Sequence, residues 1–241
     1  MNRIPLAAKL LYTAWMVVWV PVYWQHNGPA NFLWLCDFAN WILLGAIWIE
    51  SPLLASSQLS GVFLIQVIWA ADFLSALLFR FHPVGGTEYM FDPAKPLWLR
   101  SLSLFHLWTI PLLIWLVRRV GYDRRGWRLQ TAIAGVLFPL GVLAGTREQN
   151  LNWMFAPFGL PQSLLAPLVF AFVAVPLAAA LLFLPGDWIA RTCLAPQDSR
   201  ADPAHGGGRE LVLAFARAQV AALAQRRFQV AQHDQRARRV L

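Results

Sequence analysis

Long apolar stretches separated by short polar connections are the most regular feature of the chain. Six stretches approach the roughly 20 mostly apolar residues that a helix needs to cross a bilayer. They cover residues 5–23, 32–49, 59–79, 99–117, 129–145 and 163–184. The pattern therefore predicts an all-α fold, with a domain of six transmembrane helices at residues 1–184.

The pattern changes after residue 184. Residues 185–208 are rich in Pro, Gly, Asp and Ser, which is typical of a linker. In residues 209–241, apolar positions recur at helical spacing among many arginines, which predicts a basic amphipathic helix on the cytoplasmic side. Such a helix would lie on anionic lipid head groups, or the tail would be solvated.

The composition of the 241-residue chain supports a membrane protein. Hydrophobic residues make up 58% and charged residues 13%, against about 45–50% and about 25% in globular domains. A soluble enzyme, a disordered regulator and a disulfide scaffold are therefore excluded, the last because only Cys36 and Cys193 are present. The net charge of +8 belongs to the loops of a membrane protein, and it does not indicate a nucleic-acid partner.

The distribution of Lys and Arg predicts the orientation of the helices. On the side that carries the N-terminus, the 118–128 loop and the tail, the six-span pattern places 16 of the 20 basic residues. Because basic residues accumulate in cytoplasmic loops, both termini are predicted to be cytoplasmic. We expect a multi-pass protein of a bacterial inner membrane, with membrane lipids as its partners.

Polar side chains inside the predicted spans gather near the outer end. Ionisable groups within a membrane are costly, so these residues are candidates for a functional site. The inner halves of the spans contain little beyond Glu50 and Gln66. The candidate catalytic residues are His106, Cys36, Asp37 and Asp72, and the candidate substrate-binding residues are Asn40, Asn150, Asn152 and Trp153.

One interpretation of this site is nucleophilic catalysis on a lipid. Cys36 would be the nucleophile, His106 the base, and Asp37 or Asp72 would orient the imidazole. Amide side chains from the candidate set would donate hydrogen bonds to an oxyanion. In the alternative interpretation, the same groups hold the helices together by interhelical hydrogen bonds.

Other interpretations of the polar residues follow from their spacing. No His-x-x-x-His or paired-Cys spacing is present, so neither a metal nor another cofactor is predicted. A proton relay through Asp37, Asp72 and His106 would suit a small transporter, but the inner half offers no matching polar path. The loop at residues 84–93 contains Gly85-Gly86 and is either a lid over the site or a plain connector.

Three short motifs carry a resemblance to a known superfamily. They are Leu35-Cys36-Asp37, Phe105-His106 and Asn150-Leu151-Asn152-Trp153-Met154. The chain resembles a superfamily of six-helix integral membrane proteins that includes androgen-induced lipid hydrolases, an ether-lipid acyltransferase and a bacterial group of uncharacterised membrane proteins. The resemblance implies a nucleophile on one helix and a histidine on a later one, acting on acyl lipids. His106 matches that histidine, whereas the hydrolases use Thr where Cys36 lies.

The sequence thus leaves two functions from different classes. The first is a lipid hydrolase or acyltransferase with an outer-facing site around His106. The alternative is a non-enzymatic membrane protein that binds a lipid or protein partner in the same cavity, or a small transporter. The enzyme requires a nucleophile within hydrogen-bonding reach of His106, and the binding protein does not.

Overall fold

The computed structural model describes residues 4–160 and 162–194, and within these ranges the regular structure is helical throughout. The α-helices are α1 (Leu6–Asn27), α2 (Leu35–Ile49), α3 (Pro52–Phe79), α4 (Leu97–Leu102), α5 (Phe105–Val120), α6 (Gly126–Ala144), α7 (Pro167–Ala178) and α8 (Leu184–Ile189). Short 3₁₀ turns lie at Pro29–Leu33, Glu88–Met90, Leu151–Trp153 and Pro157–Gly159. The predicted amphipathic helix at 209–241 lies outside the described residues.

By length and composition, five helical segments of the described chain could cross a membrane. They are Leu6–Asn27, Pro52–Phe79, Leu97–Val120, Gly126–Ala144 and Pro167–Leu194. The all-helical class and the long apolar helices are thereby confirmed. The sixth predicted span corresponds to α2, which has 15 residues and is therefore only about 22 Å long. It is shorter than the hydropathy pattern indicates because Trp34 adopts an extended ψ of 132° and ends the preceding 3₁₀ turn.

Polar contacts join the beginning of α1 to the end of α2. The Lys9 ammonium lies 2.8 Å from a carboxylate oxygen of Glu50 and 3.3 Å from the carbonyl oxygen of Trp48. Further along, the Tyr12 hydroxyl donates to the side-chain oxygen of Asn40 at 3.0 Å. Because the start of one helix meets the end of the other, α1 and α2 are antiparallel neighbours.

The longest α-helix, α3, has 28 residues and packs against α2, α5, α6 and α8. Close approach of α8 depends on Gly186, since a Cβ atom at this position would overlap the carbonyl oxygen of Ser60. The first turns of α3 carry four buried polar side chains, those of Ser56, Ser57, Gln58 and Ser60. The apolar Leu59 among them is buried as well. The end of the bundle at the start of α3 is therefore both tightly packed and polar.

The last helix continues beyond the predicted boundary at residue 184. Two π-helical turns, Ala179–Phe183 and Ala190–Leu194, flank α8 and carry the helix through Leu194. Pro185 lies inside this continuous helix, where it lacks the N–H for the helical hydrogen bond, and the π-helical turn Ala179–Phe183 directly precedes it. The Pro-Gly pair that suggested a linker therefore lies inside a helix, and it brings Asp187 into the bundle with 2% of its surface exposed.

Candidate functional site at the predicted outer end

His106 lies in the first turn of α5, with 5% of its surface exposed. Its Nδ1 atom is 2.8 Å from the carbonyl oxygen of Ser103. Because a carbonyl oxygen can only accept, Nδ1 carries the proton and Nε2 holds the lone pair of the neutral ring. Nε2 makes no hydrogen bond within the part of the chain that the structure describes.

Aromatic rings surround the His106 side chain. The imidazole stacks on Trp69 with ring centroids 4.3 Å apart and planes inclined by 16°. The Phe105 ring lies 4.1 Å from it on the neighbouring position of α5. Trp69 in turn stacks on Phe73, and Phe73 stacks on Phe91 of the outer loop. The imidazole is thus held rigidly by apolar ring faces and by one backbone carbonyl.

Hydroxyl groups from three segments meet next to His106. The Tyr23 hydroxyl of α1 is 2.7 Å from the Ser103 hydroxyl. The Tyr89 phenol hydrogen-bonds with the side chains of Ser103 and Trp69, and it lies within electrostatic range of Asp37 and Cys36. Burial raises the pKa of the Tyr89 phenol, hydrogen bonding to Ser103 opposes this, and the nearby Asp37 charge raises it further. The outer cluster, as we name it, consists of Tyr23, Asp37, Trp69, Tyr89, Ser103 and His106.

Asp37 enters the outer cluster from α2. It is 4% exposed and accepts a hydrogen bond of 2.5 Å from the side-chain amide of Asn31. The neighbouring Cys36 projects about 100° away around the helix. In the described residues neither of these side chains forms a hydrogen bond with His106. The structure therefore brings Asp37 into the outer cluster but does not form the predicted Cys–His–Asp array.

Asp72 serves as an anchor for the loop between α3 and α4. Its carboxylate is 1% exposed and accepts hydrogen bonds from the backbone N–H groups of Val84, Gly85 and Gly86, from the Thr87 hydroxyl and from Nδ1 of His82. Gly85 has a φ of 77°, a left-handed conformation that glycine adopts without strain. The anchored loop leads directly to Tyr89, so Asp72 acts on the outer cluster through the loop.

The amide of Asn152 links the loop after α6 to the start of α2. Its oxygen accepts from the backbone N–H of Leu35 at 2.8 Å, and its nitrogen donates to the carbonyl oxygen of Leu33 at 2.8 Å. The first N–H groups of a helix have no partner within the helix. Asn152 therefore caps α2 from a distant part of the chain.

The other predicted substrate-binding residues also contact the protein itself. Asn40 bonds with Tyr12 of α1, and Asn150 accepts from the backbone N–H groups that follow it and donates to the carbonyl oxygen of Ala156. The Trp153 ring packs against Phe158 at a centroid distance of 4.5 Å. These three side chains thus have their partners within the chain itself.

Of the six residues in the outer cluster, only Asp37 and His106 were candidates from the sequence. Tyr23, Trp69 and Tyr89 were not candidates, because a tyrosine near a helix end or a tryptophan within a span is typical of membrane proteins in general. Ser103 precedes His106 by three residues, and this helical spacing is a usable signal. The position of Tyr89 supports the interpretation of the 84–93 loop as a cover over the site.

A second polar cluster lies at the opposite end of the bundle. The Tyr122 hydroxyl donates to Asp187 at 2.5 Å and lies 3.1 Å from the Ser60 hydroxyl. Arg191 pairs with the same carboxylate at 2.7 Å. The expectation that the inner half holds few polar groups is therefore wrong. It failed because Asp187 was assigned to a linker.

Comparison with protein-family models, with curated proteins and with solved structures finds no match for this chain. Over residues 4–160 and 162–194, no group of three His, Cys, Asp or Glu side chains is arranged to hold a metal ion. Function therefore has to be inferred from the geometry of the outer cluster.

Proposed function

We propose that the protein is an integral membrane protein of a bacterial inner membrane that binds a lipid at the outer cluster without transforming it. The observation that carries this proposal is the state of His106. Its Nδ1 is fixed by the Ser103 carbonyl, and its Nε2 lone pair has no partner in the described chain. Nε2 is not among the fully enclosed side-chain atoms that lack a partner, so a hydroxyl or amide N–H from a ligand has access to this lone pair and would complete the site.

The surroundings of the outer cluster favour an amphiphilic ligand. Beside Trp69 on α3, the side chains of Ile68 and Leu74 are exposed and apolar, so this surface suits lipid contact. A ligand that approaches His106 from this side crosses apolar and aromatic surface before it meets polar groups. A lipid with a polar head and an apolar chain matches this order of contacts.

Lipid retention by a His106→Phe variant tests the proposal. His26→Phe is the matched control, because His26 also bonds a carbonyl of its own helix and contacts a tryptophan, yet it is exposed. The purified proteins are extracted, and the bound lipid is quantified by mass spectrometry. We expect wild type and His26→Phe to retain lipid, and His106→Phe to retain about tenfold less. Equal retention in all three proteins contradicts the proposal.

A lipid hydrolase or acyltransferase is the second candidate function. One observation favours it, namely that a neutral imidazole with an unpaired Nε2 is the form required of a general base. It also needs a nucleophile within reach, and in the described residues no hydroxyl or thiol bonds with Nε2. Fluorophosphonate and maleimide labelling of wild type, Cys36→Ser and His106→Ala distinguishes the candidates. Labelling of a nucleophile that disappears in His106→Ala establishes the enzyme and refutes pure binding.

For the topology, we propose six crossings with both termini in the cytoplasm. The 15 residues of α2 and the five of the preceding 3₁₀ turn together extend about 32 Å, close to the roughly 30 Å thickness of the hydrocarbon core. Lys95→Cys and Arg124→Cys, each in a chain without its two native cysteines, test the orientation. An impermeant maleimide should label Lys95→Cys only from outside and Arg124→Cys only from the cytoplasm. The reverse pattern overturns the topology.

A further inference from the structure

Gln66 of α3 and Thr109 of α5 are among the buried polar side chains that have atoms without a partner in the described residues. Both amide atoms of Gln66 and the hydroxyl oxygen of Thr109 are fully enclosed and make no hydrogen bond there. Gln66 is 0% exposed and Thr109 is 1% exposed. Each unsatisfied buried polar group costs about 1–3 kcal/mol, so these atoms call for a partner that the described chain does not supply.

The positions of Gln66 and Thr109 connect them to the outer cluster. Helices α3 and α5 pack together and run in opposite directions, with Trp69 of α3 stacked on His106 of α5. Gln66 precedes Trp69 by three residues, and Thr109 follows His106 by three residues. Because the two helices are antiparallel, one turn toward the N-terminus of α3 and one turn toward the C-terminus of α5 lead in the same direction along the bundle. Both polar groups therefore lie about 4.5 Å deeper than the Trp69–His106 stack.

Elsewhere on α3 the chain does provide a partner for a buried carboxamide. The Gln58 nitrogen donates to the side-chain oxygen of Gln130 at 3.0 Å and to the Ser57 hydroxyl at 3.0 Å. Gln58 and Gln66 are both buried glutamines on the same helix, and they differ in that only Gln58 has hydrogen-bond partners in the described chain. A polar group from outside the chain would therefore meet an unpaired carboxamide at Gln66, whereas the carboxamide nitrogen of Gln58 is already paired.

The charge of the outer cluster limits what that group can be. The cluster contributes the Asp37 carboxylate and has no Lys or Arg among its members. Arg100 lies near the loop, where one guanidinium N–H donates to the carbonyl oxygen of Met90 at 2.6 Å and the buried Nε has no partner in the described residues. Arg100 precedes His106 by six residues, whereas Thr109 follows it by three, so the cation lies away from the deeper groups. A phosphate beside Gln66 and Thr109 would meet only neutral side chains, which is costly for a buried charge. A neutral group meets no such penalty.

We infer that the site extends from His106 to Gln66 and Thr109 and takes a neutral lipid whose polar part carries a hydroxyl or amide. This inference rests on the proposed lipid binding at the outer cluster. A hydroxyl of the lipid donates to Nε2 of His106, and a deeper ester or amide carbonyl accepts from the Gln66 carboxamide nitrogen or the Thr109 hydroxyl. Diacylglycerol and ceramide both have this chemistry, and phosphatidic acid lacks it.

The experiment measures lipid affinity of the purified full-length protein in detergent. Tritiated dioleoylglycerol is the probe, and ceramide and phosphatidic acid are competitors. The variants are Gln66→Leu, its matched control Gln58→Leu on the same helix, and His106→Phe. We expect dioleoylglycerol or ceramide to bind at least about tenfold more tightly than phosphatidic acid. Gln66→Leu should weaken this binding about tenfold, and Gln58→Leu should leave it unchanged.

Melting temperatures measured without lipid distinguish a loss of lipid binding from a loss of folding stability. Removing an unpaired buried amide relieves its burial cost, so Gln66→Leu should melt no lower than wild type, whereas Gln58→Leu should melt lower because it leaves Gln130 unpaired. If His106→Phe loses lipid but Gln66→Leu binds normally, the deeper site is refuted and the proposed function stands. Tighter binding of phosphatidic acid refutes the neutral class. If wild type binds none of the three lipids, the proposed function itself is wrong.

Discussion

Replacing Asp72 with Asn should release the loop that covers the outer cluster. The carboxylate accepts five hydrogen bonds, three of them from consecutive backbone N–H groups of the loop. A hydrogen bond to a charged group contributes about 1.5–3 kcal/mol. The amide can keep the two bonds at one oxygen, but its NH₂ end then faces the donors of Gly86 and Thr87. Because the loop donors regain water once the loop opens, we expect a net loss of about 2–4 kcal/mol.

A loss of this size corresponds to a fall in melting temperature of about 5–15 °C for a chain of this length. Thermal unfolding in detergent measures it, and hydrogen exchange at residues 84–87 shows whether the loop has opened. Asp92→Asn is the matched control, because Asp92 lies in the same loop and accepts one bond, from the N–H of Ala94. If Asp72→Asn melts and exchanges like Asp92→Asn, the anchoring role is wrong.

Three further predictions concern contacts away from the outer cluster. Asn152→Ala removes the remote cap of α2 and should cost about 1–2 kcal/mol in thermal unfolding, with faster amide exchange in the first turn of that helix; unchanged exchange contradicts the cap. Tyr122→Phe removes the hydroxyl that donates to the buried Asp187 and should lower the free energy of unfolding by about 1–3 kcal/mol. An unchanged free energy of unfolding would show that this hydrogen bond does not stabilise the protein. The hydrogen bond from Arg125 holds the pKa of Asp123 below its usual range. The pair therefore stabilises the folded protein at pH values above the ordinary pKa of Asp, and this stabilisation is lost as the pH falls through the depressed pKa. Asp123→Asn should therefore flatten the acid limb of a stability profile, and an unaltered limb refutes the contribution.

The positions of the helices follow largely from the sequence, because hydropathy is a local property. An apolar stretch of about 20 residues satisfies its own backbone hydrogen bonds as a helix, so the long apolar helices are found where the pattern indicates them. Errors fall at boundaries, where backbone geometry decides. Trp34 shortens α2, and π-helical turns carry the last helix past Pro185 and Gly186, which the pattern treated as a linker.

The sequence also determined which residues to consider at the outer end, since ionisable groups in apolar helices are rare and costly. Only the tertiary structure decided their partners, because a hydrogen bond between helices depends on rotation and depth of both. Asp72 binds a loop, and Asn152 caps a helix more than a hundred residues away. His106 meets aromatic rings and a carbonyl of its own segment, and this arrangement leaves Nε2 available to a ligand.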